Sequence, residues 1–220
     1  ALRAELKKTK KVDDAVLKVV RPIFKDSSPI RFEGNNYSEE WVKEAAKRGL
    51  PNLRRAPEAL AQMVSKQSRK LLTSLNILSD EELDSRYHVR LERYIKDMLI
   101  EMHTMREMVD TLVVPTGLQY TGSLAASAAQ AKSAGITVVP QARVANKVGS
   151  VIEEILKAQD NLVSVLTKAE SLHDDPNAQA KLLTSKGADA MAAVREKCDA
   201  LELMTSDSDW PLPKYREMLF

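Results

Sequence analysis

Cysteine is nearly missing from this chain. Cys198 is the single one in 220 residues, so no disulfide can form within it. Such a chain suits a reducing compartment, and a cytoplasmic location is the expectation. Glycine is scarce too, with seven in all, and aromatic residues make up only 5%. With so little glycine, the abundance of Ala, Leu, Lys, Glu and Met favours helices. No charge of one sign dominates. The 33 basic and 31 acidic residues leave a net +2, which argues against a dedicated nucleic-acid binder. There is no apolar run long enough to span a bilayer and no signal-like segment, so no membrane partner is expected. The phosphate-cradling patterns Gly-x-x-x-x-Gly-Lys-Ser/Thr and Gly-x-Gly-x-x-Gly after a strand are absent, as is His-Glu-x-x-His. The sequence opens on Ala1, not Met, and is read as a processed product or a piece of something larger, the piece being preferred.

What remains is a chain long enough for one or two cored domains, 44% apolar and 29% charged. Residues 1–24 read as a basic amphipathic helix interrupted near Pro22. Its cluster Lys7, Lys8, Lys10 and Lys11 is soon followed by Asp13 and Asp14 and reads as a solvated face. Ser27, Ser28, Pro29, Gly34, Asn35 and Asn36 mark a loop. A short helix follows over 39–48 with both ends written in: Ser38 to cap it, Glu39 and Glu40 on the positive end of its dipole, Gly49 and Pro51 to stop it. Pro57 suits a first turn, with a helix running to about Ser74. Ser79-Asp80-Glu81-Glu82 then opens a long helix.

From there a 4-3 alternation sets in. Leu91, Ile95, Met98, Met102, Met105, Val109 and Leu112 form one seam, and Val144, Val148, Val151, Ile155, Ala158, Leu162, Val165, Ala169 and Leu172 a second. A weaker third runs through Ala180, Leu183, Gly187, Ala190, Val194 and Leu201. Pro115 predicts a kink, and Gly122, Ala125, Ala126, Ala128 and Ala129 predict a thin, closely packing face. Bends are expected between Gly135 and Pro140 and at His173-Asp174-Asp175-Pro176-Asn177. The fold class expected is all-α. A long antiparallel three-helix bundle, coiled-coil-like, spans 80–205, preceded by shorter helices and a loop over 1–78 and followed by a docking tail over 206–220.

Candidate chemistry is thin. His88 has Asp84 four residues before it and His103 has Glu107 four after, but single pairs are common on helix surfaces and a metal needs three or four converging ligands. Met98, Met102 and Met105 read as core filler ahead of a haem or copper site, because they fall on a seam. Cys198 lacks a neighbouring histidine and reads as a structural thiol ahead of a nucleophile. No catalytic, cofactor-binding or metal residue is assigned. The packing or interface candidates are Trp41, Trp210, Tyr215, Leu219 and Phe220, since tryptophans anchor interfaces and so apolar a tail is expected to dock.

Two passages carry more than this. The run Arg31-Phe32-Glu33-Gly34-Asn35-Asn36-Tyr37-Ser38, continuing through the capped helix to Leu50-Pro51-Asn52-Leu53, resembles a phrase just past the catalytic core of type III glutamine synthetases. Trp210-Pro211-Leu212-Pro213 and the residues up to Phe220 look like that family's C-terminus. Leu78-Ser79-Asp80-Glu81-Glu82-Leu83, Arg86-Tyr87 and Pro115 fall in similar order between them. Asn36 stands where the family leads us to expect Gly, and Asn tolerates a left-handed backbone.

The resemblance implies a helical C-terminal extension of an ATP-dependent ligase that makes glutamine from glutamate and ammonia. It implies magnesium and ATP for the parent and none in this chain, because the family's ligand-bearing strands precede the part that is similar. It also implies an upstream catalytic core and neighbouring subunits of a two-ringed homo-oligomer as partners. The chain alone is expected to be inactive and to serve packing and assembly. The alternative from another class is a free-standing helical interaction or scaffold module, which the seams fit equally well. An independent all-helical enzyme finds no polar constellation to support it.

Overall fold

The computed structural model describes residues 1–9, 11–214 and 217–218, and it is all-helical, with no strand among the described residues. It divides into two compact units, residues 1–54 and 55–220.

In the first unit, α1 (Leu2–Leu6) packs on α2 (Val12–Asp26), a 3-10 turn covers Ser28–Ile30, and α3 spans Glu39–Lys47. The expected helix over 1–24 is therefore two. Its break falls in the lysine cluster, where like charges three and four apart oppose a helix, and α2 runs on through Pro22 for a further turn. Both ends of α3 form as expected. The Ser38 side chain accepts from the Trp41 N–H at 3.3 Å. Gly49 takes φ +73°, its N–H donating to the Ala46 carbonyl and that of Leu50 to the Ala45 carbonyl. This pair of bonds is a Schellman cap. Asn36 does not use its left-handed licence. Among the described non-glycine residues positive φ belongs to Asn76, at 52°, which ends a helix of the second unit with the same two bonds.

The second unit begins with α4 (Ala56–Met63) and α5 (Lys66–Ser74). A single helix from Pro57 to Ser74 does not form, because Ser65 leaves the helix and caps the next one, accepting from the Ser68 N–H. Next, α6 (Asp80–Met108) starts with a full capping box: Ser79 Oγ accepts from the Glu82 N–H, and the Glu82 carboxylate accepts from the Ser79 N–H. It continues through a π turn, π1 (Val109–Val113), into α7 (Val114–Ser133). Gly135, at φ +76°, turns the chain into α8 (Val139–Glu170). Asp175 caps α9 (Pro176–Leu182) by accepting from the Ala178 N–H, and a second π turn, π2 (Leu183–Gly187), leads to α10 (Ala188–Glu202).

One apolar cluster joins these helices, with α8 packed along both α7 and α10. The first two seams are buried at Leu91, Ile95, Met98, Met102, Val109, Val148, Ile155, Leu162, Val165 and Ala169, and Met105 is half-buried. All six residues of the third seam are buried. The first seam departs from expectation past Val109. Leu112 is 36% exposed and Val113 only 2%. The cause is π1, where the Val114 N–H reaches the Val109 carbonyl five residues back. That extra residue rotates the next inward position from 112 to 113. It comes just before Pro115, whose ring would crowd the Thr111 carbonyl in an unbroken α register.

The expected thin face does not pack. Gly122, Ala125, Ala126 and Ala129 are exposed, and a Cβ added at Gly122 meets nothing within 4 Å. The close approach lies one turn earlier. A Cβ at Gly117 would stand 3.0 Å from both Ile152 Cδ1 and Leu201 Cδ2.

Candidate functional site

The two tryptophans each organise one unit. In the first, Trp41 stacks on Phe32 with ring centroids 4.2 Å apart. The Arg48 guanidinium stands 5.6 Å from the Trp41 ring, donates to the Arg31 carbonyl at 2.5 Å and to the Glu44 carboxylate at 2.9 Å. Arg31 in turn lies 3.3 Å from the Phe24 ring centroid and donates to the Phe24 carbonyl. Two arginines thus tie the loop between α2 and α3 to both helices, Arg31 through the Phe24 carbonyl of α2 and Arg48, at the end of α3, through the Arg31 carbonyl of the loop. Gly34 belongs to this arrangement, since a Cβ there would fall 2.5 Å from the Phe32 ring. Its missing side chain is what lets Phe32 fold back onto Trp41.

In the second unit Trp210 and Leu212 pack, half-buried, on the core. They form one wall of a groove of about 590 Å³ with Met105, Met108, Met191 and Cys198. Lys214, paired with Asp207, stands on its rim. Burial pushes the Cys198 thiol up to about 11, with the Asp199 carboxylate adding to the shift. It is therefore a protonated, unreactive group at neutral pH. Of the other interface candidates, Tyr215, Leu219 and Phe220 lie outside the described residues.

Several other polar side chains join helices to one another. His103 meets Glu170 of α8 at 2.8 Å, and not Glu107. Asp84 is held by Arg69, whose hydrogen bond lowers its pKa. Tyr87 donates to Asn177 at 2.6 Å, and Tyr94 bonds Thr184. Arg55 donates to the Thr184 carbonyl. Gln159, 6% exposed, donates to Asp110 at 2.7 Å. Gln179, also buried, donates to the Ala169 carbonyl at 3.0 Å. These links were not legible in the sequence, since their partners lie far apart along the chain.

Among the described residues, no three His, Cys, Asp or Glu side chains converge as a metal would require. No described helix is long and apolar enough to cross a membrane.

Comparison with known proteins agrees with the motifs. The chain is 33% identical over 214 residues to a glutamine synthetase of Bacteroides fragilis, covering 94% of this chain and 29% of that protein. It is 29% identical over 228 residues to the type-3 glutamine synthetase of Dictyostelium discoideum, covering 100% of this chain and 31% of that protein. A glutamine synthetase of Butyrivibrio fibrisolvens is 33% identical over 193 residues, 87% of this chain and 27% of its own. The chain thus spans less than a third of the length of the curated relatives it matches. The family described as the glutamine synthetase C-terminal domain matches residues 15–132, from early α2 almost to the end of α7. With more than half of its length inside that match, and with the Trp41 helix and the boxed start of α6 both within it, the chain belongs to the glutamine synthetase C-terminal domain family.

Proposed function

We propose that this chain is the C-terminal helical extension of a type III glutamine synthetase, a ligase making glutamine from glutamate, ammonia and ATP. The observation that carries the reading is the family match over 15–132, which spans most of the described helices and is not confined to one motif. In this reading the extension serves packing and assembly, on the catalytic core and between subunits of a two-ringed, cytoplasmic homo-oligomer. Residues 80–205 act as a long antiparallel three-helix bundle, 1–78 join it to the core, and 206–220 dock through Trp210, Tyr215, Leu219 and Phe220. Magnesium and ATP belong to the remainder of the parent.

Physical chemistry supports that division of labour. Transferring a phosphoryl group to a carboxylate needs metal ions on the phosphates and positive groups fixed where charge develops. Among the described residues the buried polar ones, Gln159, Gln179, Thr184 and Thr205, hydrogen-bond instead to neighbouring helices or to their own backbone, though the Gln159 Oε1 is left without a partner.

Calorimetry with magnesium-ATP tests the reading directly. The 220-residue chain should bind no nucleotide, while the full-length polypeptide that contains it should make glutamine. Micromolar binding to the chain alone, lost on substituting one of its carboxylates, would overturn the division. An upstream reading frame with no catalytic sheet would overturn the parent.

A further inference from the structure

We infer that the exposed apolar face of α2 is the surface on which the catalytic part of the parent polypeptide seats. The inference rests on the parent reading given above and adds the contact face.

The first unit has almost no interior. Among its described residues Ala15 alone is buried. A segment of that size has too little core to order itself, and small domains without staples need another surface. Its apolar side chains are not scattered. Val12, Leu17, Val20, Ile23 and Phe24 all lie exposed on α2, and at about 100° per residue they fall within an arc of roughly 140° on one broad side. Val12 and Ile23 are each 60% exposed, and Phe24 57%. Arg31 already occupies one face of the Phe24 ring, which fixes the ring and leaves the rest of the side open. Scattered single hydrophobics need no partner, but five on one short helix do.

The occupant follows from length and charge. More than two thirds of each relative lies outside the matched part, so a large body of the same polypeptide is there to cover this side. Arg21 borders Leu17 and Phe24 one turn away on the helix, and Asp13 stands one turn before Leu17 on the same side. The matching surface is therefore apolar, with a carboxylate toward Arg21 and a cation toward Asp13. A second copy is the competing occupant, and protection that rises with concentration tells it apart.

The test introduces Ile23→Cys into the full-length polypeptide and into the 220-residue chain. Maleimide labelling is followed by peptide-resolved mass spectrometry, with each rate normalised to the urea-unfolded protein. Labelling in the full-length protein should be slower by about tenfold or more than in the chain alone. Amide exchange over residues 12–26 of the unmodified proteins gives a second readout that does not depend on the substitution. Equal rates would overturn the inference, whether both are fast or both slow. So would protection of the 220-residue chain that appears only as its concentration rises, which would mean a second copy. Glutamine synthesis by the same full-length preparation is scored separately. Synthesis without protection overturns this inference alone. Protection without synthesis overturns the ligase reading and keeps the face as an intramolecular dock.

Discussion

Replacing three helical glycines by alanine separates backbone propensity from packing. Gly117 and Gly122 lie in α7 and Gly149 in α8, and none has a positive φ. Each substitution gains the same helix propensity, about 1 kcal/mol. At Gly122 and Gly149 a new Cβ meets nothing within 4 Å, so that gain should appear nearly whole. At Gly117 the methyl would sit 3.0 Å from Ile152 Cδ1 and Leu201 Cδ2 and 3.1 Å from Ile152 Cγ1. Overpacking of that sort costs about 1–3 kcal/mol, partly relieved because the side-chain ends can shift. Gly117→Ala should thus fall between no change and a loss of about 2 kcal/mol, while the other two should stabilise by about 0.5–1 kcal/mol. For a chain of this length each kcal/mol moves the melting temperature by about 2–4 °C. Urea melts of the 220-residue chain read the midpoints, and an unchanged slope shows that the unfolded state is not the cause. If Gly117→Ala stabilises as much as Gly122→Ala, the close approach of α7 to Ile152 and Leu201 is wrong.

Three further outcomes follow from the same structure. Cys198, its thiol raised to about 11 by burial, should resist alkylation at pH 8 and react only as pH climbs toward that value; labelling at the rate of a free cysteine would refute its seat in the groove. Asp84 has its pKa lowered by the Arg69 hydrogen bond, so the pair stabilises above the ordinary aspartate pKa and fades as pH falls through the depressed value. Arg69→Gln should lower the melting temperature at pH 7, and that effect should shrink steadily as pH falls below the ordinary aspartate pKa; an effect that does not shrink with acidification would contradict the pairing. Pro115→Ala should let π1 relax into α register and bring Leu112 inward in place of Val113. A Leu112→Cys probe should then label about fivefold or more slowly than it does with Pro115 present, and an unchanged rate would show that the proline does not hold the π turn.

How much the sequence disclosed depends on the range of each interaction. Caps are local. Ser38, Gly49 and Ser79 act within a few residues, and all three form as read. The seams are periodic: Leu91 to Val109 and Val148 to Ala169 face the core, with Met105, Val151 and Ala158 half-buried, while Val144 at the start of the second seam is exposed and π1 inserts an extra residue that shifts the end of the first. No periodicity announces such an insertion, though Pro115 hinted that something must give. The lysine cluster and Ser65 broke helices that apolar spacing alone would have run through. The close approach was misplaced by one turn, from Gly117 to the Gly122 face, because composition does not say which side of a helix has a neighbour. Likewise the Arg31–Arg48 ties around Trp41 and the Gln159–Asp110 bond needed partners that only folding supplies.

The Gln159 bond also sets an address. An apolar seam of repeating 4-3 spacing looks much the same after a slide of one or two turns, so hydrophobic burial alone leaves α8 several berths of similar energy. Gln159 is the buried amide in the middle of that helix, and its donor finds Asp110 only where π1 carries the carboxylate to it. In any displaced berth that amide would sit against apolar side chains with no acceptor, a penalty of about 1–3 kcal/mol. That is enough to depopulate each wrong alignment about five- to 150-fold. The π turn and the glutamine thus act together as a detent for two long helices, beside the Gly117–Ile152 fit and the His103–Glu170 pair that mark the same position.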